Sequence, residues 1–257
     1  MSEFTEDQPD PSWAPDLGPA EADGKKRNEA PLDVAPIHGV LPFAGARNPL
    51  TRSNTARRVS FAAATPATGG VPQVYHFESE AESVVAIEAL LHPDLHGLEV
   101  QLPPIPFRCR RSGRTREHHF DLRLTYRDGH RRAVFVRNGW SLGKRATQDE
   151  IDDIFTAIPE GFADDAVVVN ADDYSRAYRD NLRRIWHLSR NPDPAADAHV
   201  EAVARAANYW LMKDLVAQCD LPPAAAWQSA MRLIGRRILR ADWHAAITLH
   251  SRIGLAA

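Results

Sequence analysis

The segment 119–140, HFDLRLTYRDGHRRAVFVRNGW, constrains the fold more than any other part of the chain. Two apolar, β-rich runs, 120–126 and 133–136, flank Asp128-Gly129, a pair suited to the positive-φ turn of a hairpin. An antiparallel strand pair is expected, with Asp121 close to Phe135, Val136 and Arg137 across the ladder. Because strand side chains alternate, Phe135 and Arg137 share one face and Val136 enters the other layer. A carboxylate set among apolar strand residues needs a cation or an arginine, and Arg137 is the expected internal partner.

Around this hairpin the chain supplies further elements. Phe77, Ser79 and Glu82 form a helix start with a capping box, and Ala81, Val84, Ile87 and Leu91 follow at helical spacing until His92-Pro93. Glu88 is the polar exception on that stripe. Glu82 has two readings: it closes a backbone donor, or it points from the helix towards Asp121. Runs 98–102 and 105–109 read as strands separated by Pro103-Pro104. A helix is expected over 146–158, and the apolar run Ala166-Val167-Val168-Val169 reads as a central strand covered on both faces. Asp172 is placed to cap a helix reaching residue 188, whose stripe Tyr174, Tyr178, Leu182, Ile185 and Trp186 reads as core. His118 and His119 beside Asp121 invite a metal reading, although such histidines are more often half-exposed strand residues.

The order of these parts resembles the TnsA endonucleases of bacterial cut-and-paste transposons, within the PD-(D/E)xK nuclease superfamily. The resemblance covers residues 75–188 and rests on Ser79 to Glu82, on Asp121-Leu122, on the triplet Phe135-Val136-Arg137 and on the helix, strand and helix that follow. It implies an α/β fold with a restriction-endonuclease-like core, a mixed sheet flanked by helices. In such enzymes Glu82 and Asp121 would hold Mg²⁺ while Arg137 would stabilise charge on the phosphate. Phe135 stands where the family has an acid or amide, and Arg137 where it has lysine. Phenylalanine supplies no oxygen, and a guanidinium stays protonated and cannot act as a base. Lys144 and Glu150 are the nearest candidates to replace the lost groups. The resemblance further implies DNA as substrate, and a transposase and an ATPase regulator as partners. The expectation is a TnsA-like DNA-binding component of a transposition system with metal-dependent cleavage weakened or lost. Alternatives are an active Mg²⁺-dependent endonuclease with relocated catalytic residues, or a non-enzymatic DNA-binding regulator.

Charge is distributed unevenly along the chain. Residues 1–37 hold nine acidic side chains against Lys25, Lys26 and Arg27, with six prolines, and read as a disordered acidic tail. Residues 38–73, with Arg47, Arg52, Arg57 and Arg58 among small residues, read as a basic linker or arm. From 108 to 137 there are ten arginines against three acids. That one-signed bias marks a phosphate-facing surface, for which Arg108, Arg110, Arg111, Arg114, Arg116, Lys144 and Arg145 are the candidates. The nuclease-like domain is expected over 74–190. After Asn191-Pro192-Asp193-Pro194, residues 195–257 read as a small winged-helix-like domain: a helix over 196–218, a second from Pro223, strands over 237–240 and 246–253, and clustered Arg232, Arg236, Arg237 and Arg240. Cys109 and Cys219 lack metal-ligand spacing and read as reduced thiols. No membrane-span run or signal peptide is evident, which leads to the expectation of a cytoplasmic protein.

Overall fold

The computed structural model describes residues 34–50, 58–207 and 211–256. The acidic opening to residue 33, Arg52, Arg57 and Tyr209-Trp210 lie outside them. Strand β1 (Val59–Ala63) pairs antiparallel with β2 (Gln73–Phe77). Phe61 of β1 packs against Tyr75, Phe77 and Trp186. The packed region therefore begins within the expected arm, before Val74. Five residues of β1 are too few for a strand period to stand out among Ser, Ala and Thr.

Helix α1 (Glu80–Leu90) follows, then β3 (Leu95–Val100), β4 (Ile105–Arg108), β5 (Thr115–His118), β6 (Leu122–Tyr126) and β7 (Arg131–Arg137). Short α2 (Gly139–Leu142), α3 (Arg145–Thr156), β8 (Asp165–Asn170) and α4 (Arg176–Ser189) complete this part. The hairpin forms as expected, with Leu122 opposite Val134 and Gly129 at φ +88°. The main sheet is mixed, in the order β3-β6-β7-β8, with β7 and β8 parallel and the other pairs antiparallel.

Alternation sends Val134 and Val136 into the layer under α1, where they meet Phe77, Ala86 and Leu122. Ala133 and Phe135 enter the opposite layer, against Phe107, Phe120 and Ile154. Strand β8 is at the sheet's edge and not at its centre, yet it is apolar on both faces because Val167 and Val169 reach the first layer and Ala166 and Val168 the second. Asp172 does not cap α4. Ser175 does, accepting from Tyr178 N–H, while Asp172 accepts from Gly139 N–H. The α4 stripe is core as expected, and Glu88 is explained by it: both Tyr174 and Tyr178 hydroxyls donate to its carboxylate, at 2.5 and 2.7 Å.

The C-terminal part contains α5 (Pro194–Ala206), α6 (Met212–Gln218), α7 (Pro223–Gly235) and the antiparallel pair β9 (Leu239–Ala241) and β10 (Ile253–Leu255). The single helix expected over 196–218 is broken: Ala207 and Leu211 are extended, and Leu211 forms a β-bridge with Arg252. Most of the strand expected over 246–253 is replaced by a loop. Buried Asn181 of α4 takes up that backbone, donating to Trp243 and Ala245 carbonyls and accepting from Ile247 N–H. The expected arginine cluster is also divided, since Asp197 binds Arg232 and Arg236 at 2.7 and 2.9 Å. Ile185 of α4 joins Val200, Leu215, Met231 and Leu233 in one core, so α4 is shared with the C-terminal helices. Cys109 and Cys219 are both free and buried. Among the described residues no helix is long and apolar enough to cross a membrane.

Candidate active site

One end of the main sheet gathers the expected chemistry. The end of β3, the start of β6, the end of β7 and the N-terminus of α1 meet there. Asp121, just ahead of β6, accepts a hydrogen bond from Val136 N–H at 2.7 Å. The antiparallel register favours this contact, because Leu122 lies opposite Val134 and one further step sets Asp121 opposite Phe135, next to Val136. Asp121 keeps part of its surface in water but lies deep within the surrounding protein. Burial first, and then the nearby charge of Glu82, push its carboxyl up to about 8, against the opposing pull of Val136 N–H and Arg137.

Glu82 makes the bonds of the expected capping box. Its N–H donates to Ser79 Oγ at 3.2 Å, and its carboxylate accepts from Ser79 Oγ at 2.8 Å and from Glu78 N–H at 3.0 Å. It is also close enough to Asp121 to raise that acid's proton affinity, while its own is raised first by burial and then by the charge of Glu78.

Gln101, which carries no sequence signal, organises this pair. It is 1% exposed and adopts φ +52°, a left-handed conformation uncommon for a side chain of its size. All four of its polar groups are used. Its N–H donates to Asp121 O at 3.0 Å and its carbonyl accepts from Ala46 N–H at 2.8 Å. Its amide donates to Glu82 Oε2 at 3.3 Å and accepts from Arg47 Nε at 3.0 Å. Arg47 also pairs with Glu78 at 2.8 Å. Part of the expected arm is thereby tied to the acidic pair.

The remaining expected groups are placed less favourably for hydrolysis. Phe135 is 5% exposed and belongs to the core. Arg137 stacks over its ring, 4.6 Å from the centroid, and among the described residues no ion pair joins it to Asp121, which corrects the expected pairing. Exposed Lys144 lies 3.0 Å over the Trp140 ring, and Glu150 pairs with Arg116 at 2.5 Å. Neither reaches back as a substitute. His118 is buried between Phe120 and Phe135, and burial first, then Arg137, push it down to about 4, so it is neutral at pH 7. His119 donates from Nδ1 to Leu102 O at 2.8 Å. Among the described residues, no group of three or more His, Cys, Asp or Glu is placed to hold a metal ion.

No family model matches the chain, and no curated protein matches it.

The arginine surface is partly neutralised from within. Helix α3 presents Asp149, Glu150 and Asp153, which pair with Arg145, Arg116 and Arg110 at 3.0, 2.5 and 2.5 Å. Arg108, Arg111 and Arg114 are exposed, and among the described residues no ion pair involves them. Of the expected phosphate contacts, these three and Lys144 are free of an acidic neighbour's bond.

Proposed function

We propose that the chain is a TnsA-like DNA-binding component of a transposition system, in which a nuclease scaffold persists and phosphodiester cleavage is weakened or lost. One observation carries this reading: Asp121 at the mouth of β6 meets β7 at Val136 while Glu82 approaches the same point from α1. The succession α1, β3, β6, β7, α3, β8, with β7 and β8 parallel, supports a PD-(D/E)xK core. In the C-terminal part, three helices followed by a strand pair, with the bridge Leu211 to Arg252 adding a third short partner, support a winged-helix-like unit. Its α7 is buried from Ser229 to Gly235, which counts against groove reading by that helix, and the resemblance instead implies contact with the ATPase regulator or the transposase.

Mg²⁺ requires near-octahedral oxygen coordination at roughly 2.0–2.1 Å. Two acids already engaged by protein donors, with Phe135 in the third place, do not fit that ion. With Arg137 unable to give up a proton, a general base is lacking as well. What remains is positive charge: Arg137 at the sheet's end and Arg108, Arg111 and Arg114 on the separate antiparallel pair of β4 and β5 and its turn suit phosphates, and they position DNA without reading its bases. The placements of Lys144 and Glu150 count against an active enzyme with relocated residues.

The test is supercoiled plasmid incubated with the purified chain and with Asp121→Ala, in Mg²⁺ or Mn²⁺, alongside gel shifts at increasing salt. Salt-sensitive binding without nicking is expected. Nicking by the unaltered chain that disappears in Asp121→Ala would overturn the loss of cleavage, and absence of any shift would overturn the DNA-binding role.

A further inference from the structure

The same end of the sheet displays an aromatic residue that the acidic pair does not use. Trp140 is 76% exposed, on α2, three residues beyond Arg137. The turn that carries it is pinned. Asn138 caps α2 by accepting from Ser141 N–H at 2.8 Å, and Asp172 accepts from Gly139 N–H at 2.9 Å. A Cβ at Gly139 would stand 2.8 Å from that Asp172 oxygen, so a side chain there would push the carboxylate away from its bond. The indole is therefore held out in water by a fixed support. Lys144 Nζ covers one of its faces, 3.0 Å from the ring centroid. Among the described residues, no aromatic ring or second cation covers the other face.

We propose that Trp140 is a stacking platform for an unpaired DNA base, with Lys144 set against a neighbouring phosphate. The inference rests on the DNA-binding reading above. A flat π-surface beside an ammonium matches the two halves of a nucleotide: the base stacks and the phosphate meets the cation. Apart from Leu142, the neighbours of the indole along the chain are Asn138, Gly139, Ser141, Gly143 and Lys144. They are polar, small or basic, and do not make the apolar patch that a peptide or lipid tail would require. Paired bases hide their faces inside the duplex, so the platform serves a frayed or overhanging strand end. Every base has a π-face, and the resulting preference is for end structure and not for sequence.

Fluorescence anisotropy with the full chain tests this, using a labelled duplex with a short single-stranded overhang and the same duplex with abasic overhang positions. Trp140→Ala is expected to weaken overhang binding about tenfold, and Trp140→Phe to stay within about threefold of the unaltered chain. Neither variant should change binding to the abasic duplex, whereas Lys144→Ala should weaken both. Equal affinity of Trp140→Ala and the unaltered chain for the overhang would overturn the platform while leaving DNA binding intact. Equal losses on both duplexes would also overturn it, since the bases would then be irrelevant. An unaltered chain that binds neither duplex would remove the DNA-binding reading together with the platform.

Discussion

Replacing Asp121 by Asn keeps an oxygen for Val136 N–H and removes a charge that its surroundings oppose. Burial and Glu82 raise the carboxyl from 3.8 to about 8. At about 1.4 kcal/mol per pH unit, that shift sets a ceiling near 6 kcal/mol. Because the side chain keeps part of its surface in water, solvent screening reduces this to roughly 2–3 kcal/mol. The sign follows from proton affinity. The folded chain binds the Asp121 proton more tightly than the unfolded chain, so folding stability falls as pH rises from about 4 to about 8 and levels off above that. Glu82 and Glu78 strengthen the effect, while Val136 N–H and Arg137 weaken it. Urea unfolding of both proteins at about pH 5, 7 and 9 measures it. Asp121→Asn should gain on the unaltered chain at each step, with the gap smallest at the lowest pH. A gap that stays constant across the three conditions would refute the raised affinity and the deep placement that causes it.

Asp197→Ala should cost about 3–5 kcal/mol in urea unfolding, because it leaves Arg232 buried without its charge partner; a loss below about 1 kcal/mol would mean that Arg232 finds another acceptor. Gln101→Ala should lower stability by roughly 1–3 kcal/mol by leaving the Arg47 and Glu82 contacts unmade. Gln101→Gly, free of strain at φ +52°, should melt higher than Gln101→Ala, and the reverse order would argue against strain at that residue. DNA affinity measured across salt should follow a log-log slope of roughly −4 to −5, for Arg108, Arg111, Arg114, Arg137 and Lys144. Arg111→Ala should flatten it by about one unit, and Arg110→Ala by less, because Asp153 already holds that guanidinium.

Local chemistry was legible in the sequence, and long-range pairing was not. Asp128-Gly129 fixed the hairpin, its register followed, and strand periodicity then separated Phe135 and Arg137 from Val136. The capping box at Ser79 and Glu82 was equally readable, since its bonds span three or four residues. Gln101 was invisible because its partners at 46, 47, 82 and 121 are remote and its left-handed backbone has no residue-type signature of the kind glycine gives. The arginines of the β4 and β5 pair looked uniformly free because the acids that bind Arg110 and Arg116 lie 43 and 34 positions away on α3. Asn181 likewise removed an expected strand from a distance of more than 60 residues.

On the proposed reading, the acidic pair clarifies why a nuclease scaffold can lose its ion without losing its shape. A carboxylate offers about four acceptor positions, and at Glu82 the donors Ser79 Oγ, Glu78 N–H and the Gln101 amide already occupy three. Arg47 brings positive charge to Glu78 and, more weakly, to Glu82. Asp121 has Val136 N–H but, among the described residues, no cation bonded to it, and it meets the neighbouring acid by holding its proton. On the proposed reading, a proton, an amide and an arginine together perform the neutralising task that a divalent ion performs in a cleaving enzyme. Restoring cleavage would then take more than one substitution. An oxygen at residue 135 without a titratable amine at 137 leaves the water without a base, and an amine without the oxygen leaves the ion short of a ligand. Phe135 adds a further obstacle, because any polar side chain there would face Phe107, Phe120 and Ile154, and the core would oppose the chemistry that the active site requires.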